Sequence, residues 1–145
     1  MTKIQITLFL FFFTITNGLK ATTLLSSPHS MVKDTNTIEQ KNALIQNAVG
    51  TWVIDLRPAP NAEPYLKDFV IGQPAGKLFN GEYYGYPFED GYCNVEWERF
   101  YFAFTTADGT STYYHSGYVE GNTIIGMSLN EERKFLIPWR GVKKS

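Results

Sequence analysis

Between Val95 and Val119 the run VEWERFYFAFTTADGTSTYYHSGYV interleaves Phe100, Phe102 and Phe104 with Tyr101 and Ala103. A period of two places successive side chains on opposite faces of a strand, so the three phenylalanines share one face. Val95 and Trp97 fall in the opposite phase, the shift that a bulge near Glu98 and Arg99 produces. The segment therefore reads as two strands joined at Ala107, Asp108 and Gly109. Asp-Gly suits a two-residue type I′ turn, and a three-residue loop with Gly109 in the left-handed conformation suits these residues equally. The shorter loop sets Phe102 opposite His115; the longer sets Phe102 opposite Tyr114 and Phe100 opposite Ser116.

The following hairpin discriminates between them. A two-residue turn at Gly121-Asn122 pairs Ser116 with Met127 and Tyr114 with Leu129, so Ile125, Met127 and Leu129 share a face with Tyr114 and Tyr118. The three-residue loop adds the phenylalanines to that face, an arrangement the hydrophobic effect favours, and is the expected register. His115 then falls on the other face, beside Tyr101 and Gly126.

Residues 1–21 carry Lys3, an unbroken apolar run from Leu8 to Phe13, and small or polar residues up to Ala21. This is the pattern of a secretory signal peptide, too short to span a bilayer, and it implies a secreted or periplasmic protein with no membrane span. Cys93 is the single cysteine, so no internal disulfide can form, and a packed or loop thiol is the expected role. The full chain has 13 basic and 14 acidic residues; without Lys3 and Lys20 the balance is 11 against 14, a net charge of −3. No concentrated basic face is present, which argues against a nucleic-acid partner.

Residues 22–36 are rich in Ser and Thr without an apolar period and read as a flexible linker, and residues 37–145 as a single domain. Thr37 and Gln40 form a capping-box pattern ahead of Ile38, Leu44, Ile45, Ala48 and Val49 at helical spacing, which predicts a short helix ending at Gly50. A first strand follows over 50–57, with Trp52 and Ile54 on one face. Pro58, Pro60 and Pro64 impose an irregular loop over 58–66. Strands are expected at 67–73 and 77–84, then an aromatic connection over 84–94 containing Tyr84, Tyr86, Phe88 and Tyr92. The central hairpin comes next, then strands at 123–129 and 133–140, where Pro138 marks an edge or a bulge. The fold class is all-β: an antiparallel up-and-down meander of seven or eight strands closing into a small barrel, preceded by one short helix.

Gly50-x-Trp52 after a helical lead-in, a meander of hairpins, and Arg140 or Arg133 on the last strand resemble the calycin group of barrels, which includes lipocalins, fatty-acid-binding proteins and avidins. The resemblance implies that Trp52 plugs the closed end of the barrel and that one of these arginines stacks on it, a contact that also has a cation–π basis. The cysteine pairs of that group have no counterpart beside the lone Cys93.

Candidate chemistry is sparse. The expected domain has one histidine and one cysteine without metal-ligand spacing, so no metal or cofactor is expected. A nucleophile and base pair would have to combine His115 with Ser111, Ser116 or Cys93, yet Ser116 points away from its neighbour in the strand. Glu96 and Glu98 share a face and could form a glycosidase pair only with their carboxyls about 5 to 9 Å apart. These weigh against an enzyme. The expectation is a secreted barrel that binds one small, mainly apolar ligand inside, at Phe102, Tyr114, Ser116 and Met127 with Tyr86 from the aromatic connection. The alternative is a module with a packed interior that contacts protein or glycan through residues 84–94.

Overall fold

The computed structural model describes residues 29–145, so the leader assigned to residues 1–21 lies outside the described residues. Helix α1 spans His29–Ala48 and is followed by eight strands: β1 Gly50–Asp55, β2 Leu66–Ile71, β3 Leu78–Tyr83, β4 Tyr86–Asn94, β5 Phe100–Ala107, β6 Thr112–Glu120, β7 Thr123–Asn130 and β8 Phe135–Lys143. All neighbours are antiparallel, and β8 pairs back onto β1 to close the barrel, as the meander pattern requires. Pro138 lies in the part of β8 that pairs with β7 alone, so its missing N–H costs no bond to β1.

The helix begins at His29, ahead of the capping box at Thr37. Ile38 is exposed, and it is the last turn that docks, with Ala48 fully buried. The carbonyls that end a helix lack partners within it. Here Ala48 O accepts from Trp52 Nε1 at 2.8 Å and Asn47 O from Lys143 Nζ at 2.7 Å. The Lys143 ammonium also lies 5.6 Å from the Trp52 ring. Trp52 is thus buried at a helix-covered end as expected, but its cation is Lys143. Arg140 is exposed on the outer face, and Arg133 is held at the opposite end of the barrel by Asp108.

Three local expectations are corrected. Residues 86–94 are a strand and not a connection, because Tyr84 (φ 58°) and Gly85 (φ 85°) both adopt positive φ and make a two-residue turn between Tyr83 and Tyr86. No bulge occurs at Glu98 and Arg99, since β5 begins at Phe100; the register shift lies instead between Phe79 and Gly81. The β5–β6 loop has four residues, 108–111. The Asp108 carboxylate accepts the N–H groups of Thr110 and Ser111 and the Thr110 hydroxyl, at 3.1, 3.0 and 2.7 Å, and so shapes it.

That loop sets Phe102 opposite Gly117 and Phe104 opposite His115. Relative to the expected register the shift is odd, so every β6 side chain changes face. His115, Gly117 and Val119 point inward with the phenylalanines, and Tyr114, Ser116 and Tyr118 point outward. The β6–β7 register is the expected one, with Ser116 opposite Met127, and it therefore carries Ile125, Met127 and Leu129 to the outside as well.

Rings fill the interior. Phe69 lies within 5.1–6.3 Å of Tyr83, Phe88, Phe102, Phe104 and Trp139, centroid to centroid. Two inward glycines make this possible: a Cβ on Gly126 would lie 2.4 Å from the Trp139 ring, and one on Gly117 2.7 Å from the Phe102 ring.

Candidate functional site

Above this packed layer, at the end away from α1, the barrel opens into a cavity of about 370 Å³. Its floor is polar and buried. Five inward residues converge there, Tyr83 from β3, Thr106 from β5, His115 from β6, Ser128 from β7 and Trp139 from β8, with His115 set opposite Ser128 by the β6–β7 register. The Ser128 hydroxyl is the hub: Trp139 Nε1 donates to it at 2.9 Å, His115 Nδ1 lies at 2.8 Å and the Tyr83 hydroxyl at 3.0 Å. His115 Nε2 meets the Thr106 hydroxyl at 3.0 Å. The imidazole also lies against the Phe104 and Tyr83 rings, with centroids 4.7 and 4.2 Å away. In these apolar surroundings the charged form is disfavoured, and burial pushes the His115 pKa down to about 4; it likewise raises that of Tyr83. The floor is therefore neutral at ordinary pH.

The walls are aromatic. Leu56, Tyr65, Tyr84, Tyr86, Phe135 and Ile137 surround the opening. Tyr84 and Tyr86 are stacked with centroids 6.3 Å apart, the Tyr65 and Tyr84 hydroxyls are hydrogen-bonded to each other, and Lys67 Nζ sits 4.8 and 4.7 Å from the rings of Tyr65 and Tyr84. At the rim, Asp108 Oδ2 accepts from the Tyr113 hydroxyl at 2.7 Å and from Arg133 Nη2 at 2.8 Å. The bond from Tyr113 is the largest of the causes that hold the Asp108 carboxyl below the usual carboxylate range. The fully buried Asn130 orients Arg133 by accepting its backbone N–H at 2.6 Å and donating to Thr112 O at 3.2 Å.

The five residues expected to form one pocket are separated. Phe102 belongs to the packed interior, 4 % exposed, and Tyr86 to the mouth. Tyr114, Ser116 and Met127 line an outer groove of about 540 Å³ with Tyr92, Leu129 and Leu136. They cannot line the interior, because the β5–β6 register turns all three outward.

Ser128 is the residue that sequence reasoning missed, although the Gly121-Asn122 hairpin already sets it opposite His115. Ser111 is engaged elsewhere, donating to Glu132 at 2.7 Å, and Cys93 is buried with its thiol pKa raised by desolvation. Glu96 pairs with Lys41 at 2.7 Å, and Glu98 is exposed. The Ser128–His115 contact differs from a hydrolytic dyad in two ways: the serine oxygen already accepts from Trp139, and the far imidazole nitrogen meets a threonine where a triad has a carboxylate. Among the described residues no group of three or more His, Cys, Asp or Glu could hold a metal ion, and no helix is long and apolar enough to cross a membrane. The chain matches no protein-family model, no curated protein and no solved structure among those compared.

Proposed function

We propose that this chain is a secreted β-barrel that binds one small, mainly apolar molecule, and that the site is the mouth cavity above Ser128. The observation that supports this is the pairing of an aromatic, open-ended cavity with a small convergent set of polar groups at its floor, the usual composition of a site that orients a guest. The packed layer beneath confines the guest to the mouth, so the calycin-like reading applies to the open end of the barrel and not to a deep interior. Secretion belongs to the same proposal and rests on the leader pattern of residues 1–21.

Titration with the neutral fluorophore N-phenyl-1-naphthylamine is the test. Saturable one-to-one binding is expected for the wild type. It should be lost in Ile137→Trp, which fills the mouth, and kept in Met127→Trp, whose new ring lies on the outer face. Absence of saturable binding by the wild type would refute the proposal, as would loss of binding in Met127→Trp alone.

The outer groove favours a second reading, a surface-binding module. Tyr92, Leu136 and Met127 are 64, 59 and 48 % exposed, an apolar patch of the kind that marks a contact surface. In this reading the contact lies on the outward face of β4 to β8 in place of an aromatic loop, and the second binding pattern above is the one it requires.

A further inference from the structure

The hydrogen bonds at the floor restrict what the mouth can accept, and the following rests on the proposal that the mouth is a ligand site. Trp139 Nε1 has only a donor, so one lone pair of Ser128 Oγ is always taken. The remaining chain, Tyr83 to Ser128 to His115 to Thr106, then has two closed arrangements. In one, Tyr83 donates to Ser128, Ser128 donates to His115 Nδ1, and His115 Nε2–H donates to Thr106. Tyr83 is left offering an acceptor and Thr106 a donor. In the other every bond reverses: Thr106 donates to His115 Nε2, His115 Nδ1–H donates to Ser128, and Ser128 donates to Tyr83. Tyr83 now offers a donor and Thr106 an acceptor. Either way the two ends, both of which line the cavity, present one donor and one acceptor.

The charged groups that line the mouth are already paired with each other. Among the described residues its charged lining groups are Asp108 and Arg133, which bond to each other, and the nearby Lys67 sits over Tyr65 and Tyr84. An anionic guest finds the one lining cation, Arg133, already paired, and a cationic guest finds the one lining carboxylate, Asp108, taken; Lys67 is seated on the Tyr65 and Tyr84 rings at the rim and not on a carboxylate. A guest ion seated at the neutral floor would have to leave water without a charged partner, which is costly.

We infer that the mouth selects an uncharged molecule carrying both a hydrogen-bond donor and an acceptor on an apolar body, such as an amide, and that the guest fixes the direction of the hydrogen-bond chain through His115.

Four probes on one ring system test this by calorimetric titration of the full chain at neutral pH: 2-naphthamide, 2-naphthoate, 2-(aminomethyl)naphthalene and 2-methylnaphthalene. The amide should bind about tenfold more tightly than each of the others, the factor expected when a buried polar pair is matched in place of left open. Thr106→Val, which keeps the side-chain shape, should shrink that preference to about threefold or less. The ¹⁵N shifts of the His115 ring, which report its tautomer, should move with the amide and stay put with 2-methylnaphthalene. Equal or tighter binding of the carboxylate, the ammonium or the hydrocarbon overturns this inference while leaving the mouth as a ligand site. Failure of all four to bind overturns the ligand site and the inference with it. An amide preference with unmoved His115 shifts refutes the part played by the hydrogen-bond chain.

Discussion

Lowering the pH from 8 to 4 should destabilise this barrel progressively through one residue. His115 is 4 % exposed and packed between Phe104 and Tyr83, with both ring nitrogens bonded to hydroxyls, and its pKa is about 4 against an ordinary 6.5. The folded value is the lower one, so the unfolded chain takes up the proton first, and stability falls wherever the unfolded state binds more protons. Stability is therefore complete above pH 6.5, declines by up to about 1.4 kcal/mol per pH unit below it, and levels near pH 4 after a total loss of about 3 kcal/mol. Urea unfolding at half-unit pH steps, followed by the fluorescence of the buried Trp52 and Trp139, measures this directly. His115→Gln should be less stable than the wild type at pH 8 and show a much flatter decline between pH 6.5 and 4. Asp55, whose carboxyl is held at about 2 mainly by Arg57, contributes its own loss only below the ordinary 3.8, and carboxylates shared by both proteins cancel in the difference. Parallel pH profiles for wild type and His115→Gln would show that the imidazole is not buried in its neutral form, and the account of the floor would fail.

Three further outcomes follow from the packing. Phe104→Ala should cost about 3 to 5 kcal/mol, because its ring stacks on Phe88 at 4.2 Å and touches Phe69 and Tyr83, whereas Tyr101→Ala, facing outward beside Tyr118, should cost clearly less; denaturant midpoints of the two variants decide. Gly126→Ala should destabilise by about 1 to 3 kcal/mol and displace Trp139 from Ser128, seen as a red-shifted tryptophan emission, and an unchanged spectrum with wild-type stability would contradict the close approach of ring and backbone. Lys143→Met should lower stability by about 1 kcal/mol through loss of the bond to Asn47 O, with increased amide exchange in the last turn of α1 as the readout; unchanged exchange would mean that Lys143 does not fasten the helix.

Much of the barrel is legible in the sequence because strand alternation and two-residue turns are local. The period of Phe100 to Phe104, the faces of Trp52 and Ile54, and the Gly121-Asn122 hairpin register all follow from residues a few positions apart, and that hairpin alone already sets His115 opposite Ser128. Two features left no such trace. The Tyr84-Gly85 turn puts a tyrosine at positive φ, against its ordinary preference, so residues 84–94 look like a loop until β3 and β5 are present on either side to pair with them. The cation near Trp52 is chosen by where β8 ends against α1, which brings Lys143 and not an arginine to that end.

The sequence by itself thus determined which side chains share a face within each strand it shows, and from this an antiparallel meander of seven or eight strands. It did not determine which face of β6 and β7 is inside, because that depends on the offset of β6 against β5, and an offset of any odd number of residues exchanges the faces while leaving the alternation intact. Tertiary structure decided it. The Asp108 loop and the closure of β8 onto β1 select the offset that sets Gly117 and Gly126 against the rings of Phe102 and Trp139, where any larger side chain would collide. That one choice sends Tyr114, Ser116 and Met127 outward and brings His115 and Ser128 in beneath the mouth.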